Sequence, residues 1–337
     1  MSIIQPKEKP EDEKLDYALR PESLNDFIGQ EKIKKNIEIF IAAAKKRGEP
    51  IEHTLLHGPA GLGKTTLAHI IAKEFKSNIK ITSGPAIEKV GDLGAILSSL
   101  EDGDILFIDE IHRLNKLIEE VLYPAMEDFA LDIIIGKGPS ARTLRLNLPR
   151  FTLIGATTRI GLLTSPLLNR FGSTFHLNFY SHDDIELIIK RSSKLLKIDI
   201  DSEAIKTVSR SSRFTPRIAN RLLKRVRDYA EIKNNGVVTK NIAEKAFKML
   251  EVDHLGLEAT DRMILDIIIN KFSGGPVGIQ TMAAASHEDE ETISDIYEPF
   301  LLQLGLLDRT SRGRVATKAA YKHLGIKWPG EENLLQL

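Results

Sequence analysis

A glycine-rich loop that ends in a lysine is the stretch of this chain best suited to chemistry. Residues 57–66 read His-Gly-Pro-Ala-Gly-Leu-Gly-Lys-Thr-Thr and fit the phosphate-binding pattern G-x-x-x-x-G-K-[ST]. Gly61 and Gly63 let the backbone wrap closely around a polyphosphate, because no Cβ blocks the approach. Successive N–H groups and a helix N-terminus would then face the negative charge. The loop therefore predicts a nucleotide-binding site.

The residues that end the loop have separate expected roles. Lys64 should reach the β- and γ-phosphates, the Thr65 hydroxyl should bind Mg²⁺, and Thr66 should add a phosphate contact. Two leucines precede the loop and a helical run, 66–75, follows it. This strand–loop–helix order favours the phosphate loop over the alternative, a glycine turn that only caps a helix.

Two acids end the next strongly apolar strand. Residues 104–110 read Asp-Ile-Leu-Phe-Ile-Asp-Glu, the Walker B pattern of a strand covered on both faces. Its acids lie at the carboxyl end, where open α/β sheets bind ligands. Asp109 is predicted to hold Mg²⁺ and Glu110 to polarise the attacking water. The alternative is a strand that ends in helix-capping acids, and the upstream phosphate loop disfavours it.

Two further residues are candidates for the chemistry of hydrolysis. Thr157 ends another buried strand, 151–158, and is predicted to position water as "sensor 1"; the alternative is an ordinary strand end. Arg170 follows Pro166 and a short helix, and in chain order it is remote from its own phosphate loop. We predict that it is an arginine finger for a neighbouring subunit. The alternative is a surface arginine that pairs with a carboxylate.

The composition limits the class of protein without naming a partner. The 337 residues contain 47 Lys and Arg and 47 Asp and Glu, so any nucleic-acid site must be a local patch. The chain has no cysteine, which excludes disulfides, zinc fingers and a thiol nucleophile and suits the cytoplasm. No apolar run approaches the ~20 residues of a membrane span. Residues 1–16 are charged and are expected to be a disordered tail.

Periodicity divides the chain into three domains. Residues 1–180 predict a large P-loop α/β domain with a parallel sheet, including helices near 31–46 and 115–128 and strands near 79–82 and 175–180. Residues 181–252 predict a lid of four helices, with Arg217 at a helix start where it could face a phosphate. Residues 253–337 predict helices near 260–272, 278–285 and 291–304, then a hairpin near 306–317: a winged-helix domain.

Two exposed features of the prediction suggest partners. Arg309 and Arg314 flank the winged-helix turn and suit contacts to DNA phosphates, although a winged helix that binds protein is the alternative. The other feature is a hairpin over 131–148. Leu131, Ile133 and Ile135 alternate on its first strand, and Leu144, Leu146 and Leu148 on its second, which predicts one apolar face. That face is predicted to dock a partner; the alternative is that it packs on the protein's own core.

The segments together resemble the RuvB family of AAA+ ATPases, the motors of Holliday-junction branch migration. The resemblance runs from about residue 15 to 330 and departs from the family pattern at Ala60, where a second proline is usual, and at Leu168, where a charged residue is usual. Its motifs are 19–21 (Leu-Arg-Pro), 27–30 (Phe-Ile-Gly-Gln), the phosphate loop, 106–113, 126–129, 155–159, 165–167 and 307–310.

The resemblance implies roles that residue spacing alone does not. It implies that Leu19, Arg20 and Ile28 line an adenine pocket, and that Tyr180 and Arg217 close it, Arg217 as "sensor 2". It places Glu127, Asp128 and Phe129 near the nucleotide of a ring neighbour, and Arg309 and Arg314 on DNA. It implies ATP and Mg²⁺ as cofactors, a homohexameric ring on duplex DNA, a RuvA-like junction-binding partner at the hairpin 131–148, and a RuvC-like resolvase.

Three functions are therefore weighed. The favoured one is a DNA-translocating ATPase that drives branch migration. The second is an AAA+ protein remodeller whose winged head binds protein. The third is a clamp-loader subunit, which would more often carry zinc-binding cysteines and a Ser-Arg-Cys finger, both absent from this sequence.

Overall fold

The computed structural model describes residues 18–135 and 142–329, and for 133–135 and 142–144 it describes the backbone only. The chain divides after Tyr180 into two compact units, the large domain and a unit that contains the lid and the head. The tail predicted over 1–16 lies outside the described residues.

The large domain is built on a parallel sheet of five strands: β1 (Thr54–His57), β2 (Ile79–Ser83), β3 (Ile105–Asp109), β6 (Thr152–Thr157) and β7 (Ser173–His176). Their order in the sheet is β2-β3-β6-β1-β7. The residues of β6 are all buried, as are the first four of β3, because helices cover both faces of the sheet. This arrangement confirms the predicted parallel-sheet domain.

Helices of the large domain begin where the sequence offers the right cap. The helix after the phosphate loop starts at Lys64, and Gly63 before it has φ +95°, a conformation that glycine adopts without strain. The Asn115 side chain accepts a hydrogen bond from the Ile118 N–H and starts the helix after Walker B. The α-helices of the domain are Glu31–Arg47, Lys64–Phe75, Val90–Ser98, Lys116–Glu127 and Ser165–Leu168.

One predicted strand boundary is wrong. The sequence favours a strand over 175–180, whereas β7 ends at His176. The Gln30 side chain donates to the Asn178 carbonyl at 2.7 Å and accepts from its N–H at 3.3 Å. These bonds occupy the backbone groups that a longer strand would have paired, so the chain leaves the sheet at this point.

A separate antiparallel hairpin lies in the chain between the helix Lys116–Glu127, which we call the Walker B helix, and β6. Its strands are β4 (Ala130–Ile135) and β5 (Arg142–Asn147), so the predicted hairpin is present. The register pairs Leu131 with Leu146 and Ile133 with Leu144, and directly opposed residues of an antiparallel pair share a face.

The lid contains the four predicted helices, each begun by a short polar residue. Ser181 and Asp184 form a capping box, and Asp201 and Thr239 accept hydrogen bonds from the first turns of their helices. Two parallel strands of two residues each, β8 (Asp199–Ile200) and β9 (Val237–Val238), were not predicted. The helices are His182–Leu195, Ser202–Arg210, Pro216–Lys233 and Lys240–Met249.

The head has three helical segments followed by a hairpin, as predicted, but two of the helices contain π-helical turns. The first runs as Ala259–Asp266 and continues as a π-helix to Lys271; the second is Ile279–Ser286. The third combines Glu290–Thr292, a π-helix Ile293–Tyr297 and Glu298–Gln303. We call the hairpin 307–316 the wing; its strands are β10 (Leu307–Thr310) and β11 (Gly313–Ala316), and a last helix, Lys318–His323, follows.

Candidate nucleotide-binding site

The phosphate loop joins β1 to its helix and points Lys64 back at the loop's own backbone. The Lys64 Nζ donates to the carbonyls of Gly58 at 2.8 Å and Pro59 at 2.9 Å. The side chain is therefore buried and extended across the loop, with its charge held inside the concave turn. An ammonium group in this position is a point charge for the β- and γ-phosphates of a nucleotide.

The Walker B strand brings two oxygen ligands together beside that lysine. The Thr65 hydroxyl lies 3.4 Å from Oδ2 of Asp109, and the Glu110 N–H donates to the other carboxylate oxygen at 2.9 Å. Hydroxyl and carboxylate oxygens are hard ligands, and Mg²⁺ in phosphate sites takes only one or two of them from the protein. The residues present therefore fit Mg²⁺.

The second acid stands in a turn with an unusual backbone. Glu110 has φ +47°, and its carboxylate pairs with the Arg113 guanidinium at 3.3 Å. A Cβ added to Gly84 would collide with the Glu110 carbonyl, so the turn after β2 must approach closely for Glu110 to hold this shape. Gly84 was not predicted as a site residue, because no spacing rule links β2 to the Walker B turn, and the motif 106–113 assigns no role to Arg113.

Thr157 lies beside the phosphate loop, as parallel strands require. It pairs in register with His57, the residue before Gly58, and its carbonyl accepts from the Gly58 N–H at 3.2 Å. The Thr157 hydroxyl is 2.9 Å from Nδ1 of His112 and accepts from the Arg159 N–H at 2.9 Å. The position suits contact with a γ-phosphate or its water. His112 was missed as a partner; it lies two residues after Glu110 in the sequence.

The residues predicted to hold adenine are mostly apolar and lie close to the phosphate loop. Leu19 is buried and Ile28 half-buried, in the arm that precedes the first helix. The Tyr180 hydroxyl donates to the Leu62 carbonyl at 3.1 Å, which ties the end of the domain to the loop. Arg20 is half-buried. A Cβ at Gly63 would come within 3.2 Å of the Phe27 ring, so the arm rests on the loop itself.

Arg170 contacts a different set of residues from those around Lys64. Its Nη2 donates to Glu127 at 3.0 Å, its Nη1 to the Pro166 carbonyl at 2.7 Å, and its guanidinium carbon lies 4.5 Å from the centre of the Tyr123 ring. The arginine therefore pairs with a carboxylate, as the alternative to a finger supposes. That carboxylate belongs to Glu127, whose side chain is half exposed.

The residues after the Walker B helix divide between surface and core. Glu127 and Asp128 are exposed, and Asp128 accepts from Arg145 of the hairpin at 2.8 Å. Phe129 has φ +50° and packs edge-on against Phe151 at 5.9 Å between ring centroids, so it is turned towards the core.

The remaining predicted residues belong to the lid and the head, and their surroundings differ. Arg217 is the second residue of the helix Pro216–Lys233, as predicted. On the wing the Arg309 side chain is 66 % exposed, whereas Arg314 is 10 % exposed. Arg314 donates to both carboxylate oxygens of Glu298, at 3.2 and 2.8 Å. The spacing of the two arginines gave no sign of this difference.

With this geometry established, comparison with known proteins places the chain in a family. Three family models match it in order: "Holliday junction DNA helicase RuvB P-loop domain" over 19–177, "RuvB AAA lid domain" over 180–253 and "RuvB C-terminal winged helix domain" over 254–325. The chain belongs to the RuvB family. The match confirms the resemblance and the predicted fold class, a P-loop domain with a lid and a winged-helix head.

Individual RuvB proteins are similar over almost the whole chain. The Holliday junction branch migration complex subunit RuvB of Dehalococcoides mccartyi (strain CBDB1) is 57 % identical over 331 residues, which cover 98 % of this chain and 95 % of that protein. The solved Thermotoga maritima RuvB Holliday junction branch migration motor is 49 % identical with a TM-score of 0.86, and the match covers 93 % of this chain and 100 % of that one. A mutant of the Thermotoga protein gives 50 % identity and a TM-score of 0.86, over 92 % and 99 % of the two chains.

The described part of the chain contains no helix that is long and apolar enough to span a bilayer.

Proposed function

We propose that this protein is an ATP-driven motor that translocates duplex DNA and so drives branch migration of Holliday junctions. The observation that carries the proposal is the meeting of Lys64, Thr65 and Asp109 in one phosphate site, within a chain that matches all three RuvB domains. A protein remodeller with a protein-binding head is disfavoured, because the head itself matches the RuvB winged-helix model.

The residues of the phosphate site have distinct roles in ATP hydrolysis. Lys64 neutralises charge on the β- and γ-phosphates, while the backbone around Gly61 and Gly63 surrounds them. Thr65 and Asp109 would hold Mg²⁺, which supplies charge neutralisation between the phosphates when bound. Glu110 accepts a proton from, or orients, the attacking water, and Thr157 fixes the position of that water. Thr66 adds a phosphate contact.

The residues around the rest of the nucleotide complete the proposal. The adenine end of the nucleotide would be enclosed by Leu19, Arg20, Ile28 and Tyr180. Arg217, a residue of the lid, would contact the phosphates. Arg170 would serve the nucleotide of a neighbouring subunit in a homohexameric ring, with the exposed Glu127 and Asp128 lining that contact and the core-facing Phe129 beneath them. A guanidinium on the γ-phosphate is worth about 10³–10⁵ in rate.

The head would hold DNA through its backbone. Arg309 is exposed on the wing and can reach a phosphate directly. Arg314 uses Nε and Nη2 on Glu298 and keeps further N–H groups that could donate to a phosphate. A motor that runs over any sequence must avoid base readout, so contacts of this kind suit branch migration.

The hairpin is proposed as the docking site for a RuvA-like protein, with a RuvC-like resolvase in the same assembly. The base of its apolar face packs on the domain: Leu131 and Leu148 are buried in the large-domain core. Leu146, which lies opposite Leu131 in the hairpin register, is nevertheless 36 % exposed. The alternative, that the apolar face packs on the protein's own core, therefore holds for Leu131 and Leu148. The docking surface would begin at Leu146. Side chains of Ile133, Ile135 and Leu144 lie outside the described residues.

Turnover on a synthetic four-way junction tests the function. We expect duplex DNA to stimulate ATP hydrolysis by the purified protein, and the protein with a RuvA tetramer and ATP to convert a labelled junction into two duplexes. Glu110→Gln is the control, and it should abolish both signals. ATP hydrolysis that ignores DNA but responds to a folded protein substrate would instead support a remodeller.

A single charge on the hairpin tests docking. Leu146→Asp should leave DNA-stimulated ATP hydrolysis within about two-fold of wild type and remove RuvA-dependent junction processing, because burying a new carboxylate in an apolar contact is costly. Asn147→Asp adds the same charge on the opposite face and should have no such effect. If Leu146→Asp binds RuvA as the wild type does, the docking assignment is wrong.

A further inference from the structure

One face of the Walker B helix carries a row of three polar side chains, of which the proposed function uses only the last, Glu127. Glu119, Tyr123 and Glu127 are four residues apart along the helix Lys116–Glu127, so they lie above one another on one side. That side faces the loop and short helix that carry Arg170. The row therefore offers a candidate set of contacts that fix the arginine.

The lower part of the row is a buried hydrogen-bonded cluster. Glu119 is 4 % exposed. One of its carboxylate oxygens lies 3.1 Å from the Tyr123 hydroxyl and 2.7 Å from the Thr164 hydroxyl, and the two hydroxyls are 2.8 Å apart. Thr164 also caps the short helix Ser165–Leu168. Burial raises the pKa of Tyr123, so the phenol stays neutral and can donate its one proton to Glu119 or to Thr164. The cluster fixes the tyrosine ring relative to the helix that precedes Arg170.

The upper part of the row holds the guanidinium. Arg170 lies over the Tyr123 ring at 4.5 Å, while Nη1 and Nη2 are tied to Pro166 and Glu127. Its Nε is buried and has no hydrogen-bond partner among the described residues. The ring thus supports one face of the guanidinium, and the hydrogen bonds set its rotation.

The ring contact outweighs the ion pair in holding the arginine. The Glu127 side chain is 56 % exposed, and an ion pair at that exposure contributes little. A guanidinium over an aromatic face gains more as it loses water, and Arg170 is only 21 % exposed. A long side chain held in one conformation also loses less entropy when it meets a ligand.

We propose that Tyr123, anchored by Glu119 and Thr164, is a positioning residue for the Arg170 finger. The inference rests on the proposed function, in which Arg170 acts on the nucleotide of a neighbouring subunit. Tyr123 does not touch that nucleotide; its ring holds the guanidinium in place beside Pro166 and Glu127, the position from which it would meet the neighbour's γ-phosphate. The defect of a Tyr123 variant must then appear in the neighbour's pocket and not in its own.

Kinetics of DNA-stimulated ATP hydrolysis separate this role from a general structural one. Tyr123→Leu removes the aromatic face and should lower kcat about ten-fold with little change in KM, because its own phosphate loop is intact. Tyr123→Phe keeps the ring and loses only the hydroxyl, so kcat should fall about two- to three-fold. Glu120→Gln, at an exposed position of the same helix, is the matched control and should retain wild-type kcat.

Mixed rings test whether the defect acts in trans. A Lys64→Ala subunit has a damaged pocket and an intact finger, whereas a Tyr123→Leu subunit has the reverse. Mixing the two should give more hydrolysis than either variant alone, as it should for Arg170→Ala with Lys64→Ala. Size-exclusion chromatography and binding of a fluorescent ATP analogue check assembly and folding of each variant.

Several results would overturn the inference. Wild-type kcat in Tyr123→Leu, a raised KM with weaker analogue binding, or mixtures no better than their parents would each show that Tyr123 does not position the finger. If Tyr123→Leu fails to fold and Tyr123→Phe has wild-type kcat, the residue is structural. Full hydrolysis by Arg170→Ala would refute the finger itself, and with it this inference, whereas loss of hydrolysis in Arg170→Ala alone would leave the proposed function standing.

Discussion

The phosphate loop and the wing are both proposed to meet phosphate groups, but they are built from different parts of the chain. The loop offers backbone N–H groups, and even its lysine is held by the carbonyls of Gly58 and Pro59. The wing offers two arginine side chains: Arg314 is buried against the buried Glu298 at 2.8 Å, and the exposed Arg309 approaches the same carboxylate only to 3.8 Å. A site made of backbone depends on conformation, whereas a site made of side chains depends on their partners.

The difference decides what the sequence can predict. Backbone conformation is set locally by glycine and by the apolar strands around it, so the pattern from Gly58 to Thr65 predicts the whole loop. The pairing of Arg314 with Glu298 joins residues 16 apart in different elements, and no spacing rule contains it. The two regions therefore make different predictions when single residues are changed.

The largest effects are expected in the loop and its Walker B partner. Lys64→Ala should abolish nucleotide binding, because the charge inside the loop is lost. Glu110→Gln should still bind ATP but hydrolyse it at least about 10²-fold more slowly, since only the step that needs the carboxylate is removed. Fluorescent-nucleotide titration and phosphate release measure the two steps. Wild-type turnover by Glu110→Gln would refute its assigned role.

Variants of the two wing arginines should affect different properties, one the stability of the head and the other its binding to DNA. Arg314→Ala leaves the Glu298 carboxylate buried without its bidentate partner and should destabilise the head by about 3–5 kcal/mol. Arg309→Ala should not change stability; it should weaken binding equally on all duplex sequences and reduce the slope of log K against log salt by about 0.9. The single tryptophan, Trp328, packs on Tyr321 in the head, so its fluorescence reports unfolding there.

Either half of that result can fail independently. A sequence-selective loss of binding by Arg309→Ala would mean that the wing reads bases. A fully stable Arg314→Ala would mean that Glu298 does not depend on the pair, and the contrast between the two arginines would then be one of exposure alone.

Much of the fold follows from local signals, and the failures have identifiable causes. The apolar runs at 105–108 and 152–156 predict buried strands because both faces of each are covered. The strand predicted over 175–180 ends early because the Gln30 side chain, far away in sequence, takes the backbone of Asn178. The spacing of hydrophobic residues in the head does not indicate its π-helical turns, so these were not predicted. Site residues identified by motif lie where strand order puts them, whereas His112, Gly84 and Tyr123 act through contacts that only the folded chain creates.

A smaller change in the loop tests whether its backbone shape matters apart from charge. Gly63→Ala keeps Lys64 but places a Cβ at φ +95°, 3.2 Å from the Phe27 ring. The left-handed conformation costs a non-glycine residue about 1–2 kcal/mol. We expect ATP affinity to fall about ten-fold while the thermal stability of the lid and head is unchanged. Gly94→Ala, where a Cβ meets nothing within 4 Å, is the matched control. Equal affinity in both variants would show that the loop tolerates a side chain.

The smallest expected effect concerns a second buried arginine–carboxylate pair, which joins the lid to the head within one compact unit. Arg213 donates to the Asp261 carboxylate and to the Gly256 carbonyl, and its guanidinium lies 4.5 Å from the centre of the Phe300 ring. Asp261 is fully buried. Burial raises its pKa to about 6, although Arg213 and the Glu258 N–H act in the opposite direction.

The raised pKa of Asp261 gives a definite sign to the pH dependence of stability. Since the folded state holds the proton more tightly than the unfolded chain, whose Asp titrates near 3.8, the contribution of Asp261 is fully present below pH ~4 and is lost as pH rises through about 6. Asp261→Asn cannot titrate. We therefore expect the wild type to gain stability relative to Asp261→Asn as pH falls from 7.5 to 4.5, measured by urea unfolding followed through Trp328. Other groups titrate in both proteins and cancel in the difference. A constant difference would mean that the Arg213 pair offsets the effect of burial on the pKa of Asp261, and a change in the opposite direction would mean that the pair outweighs burial.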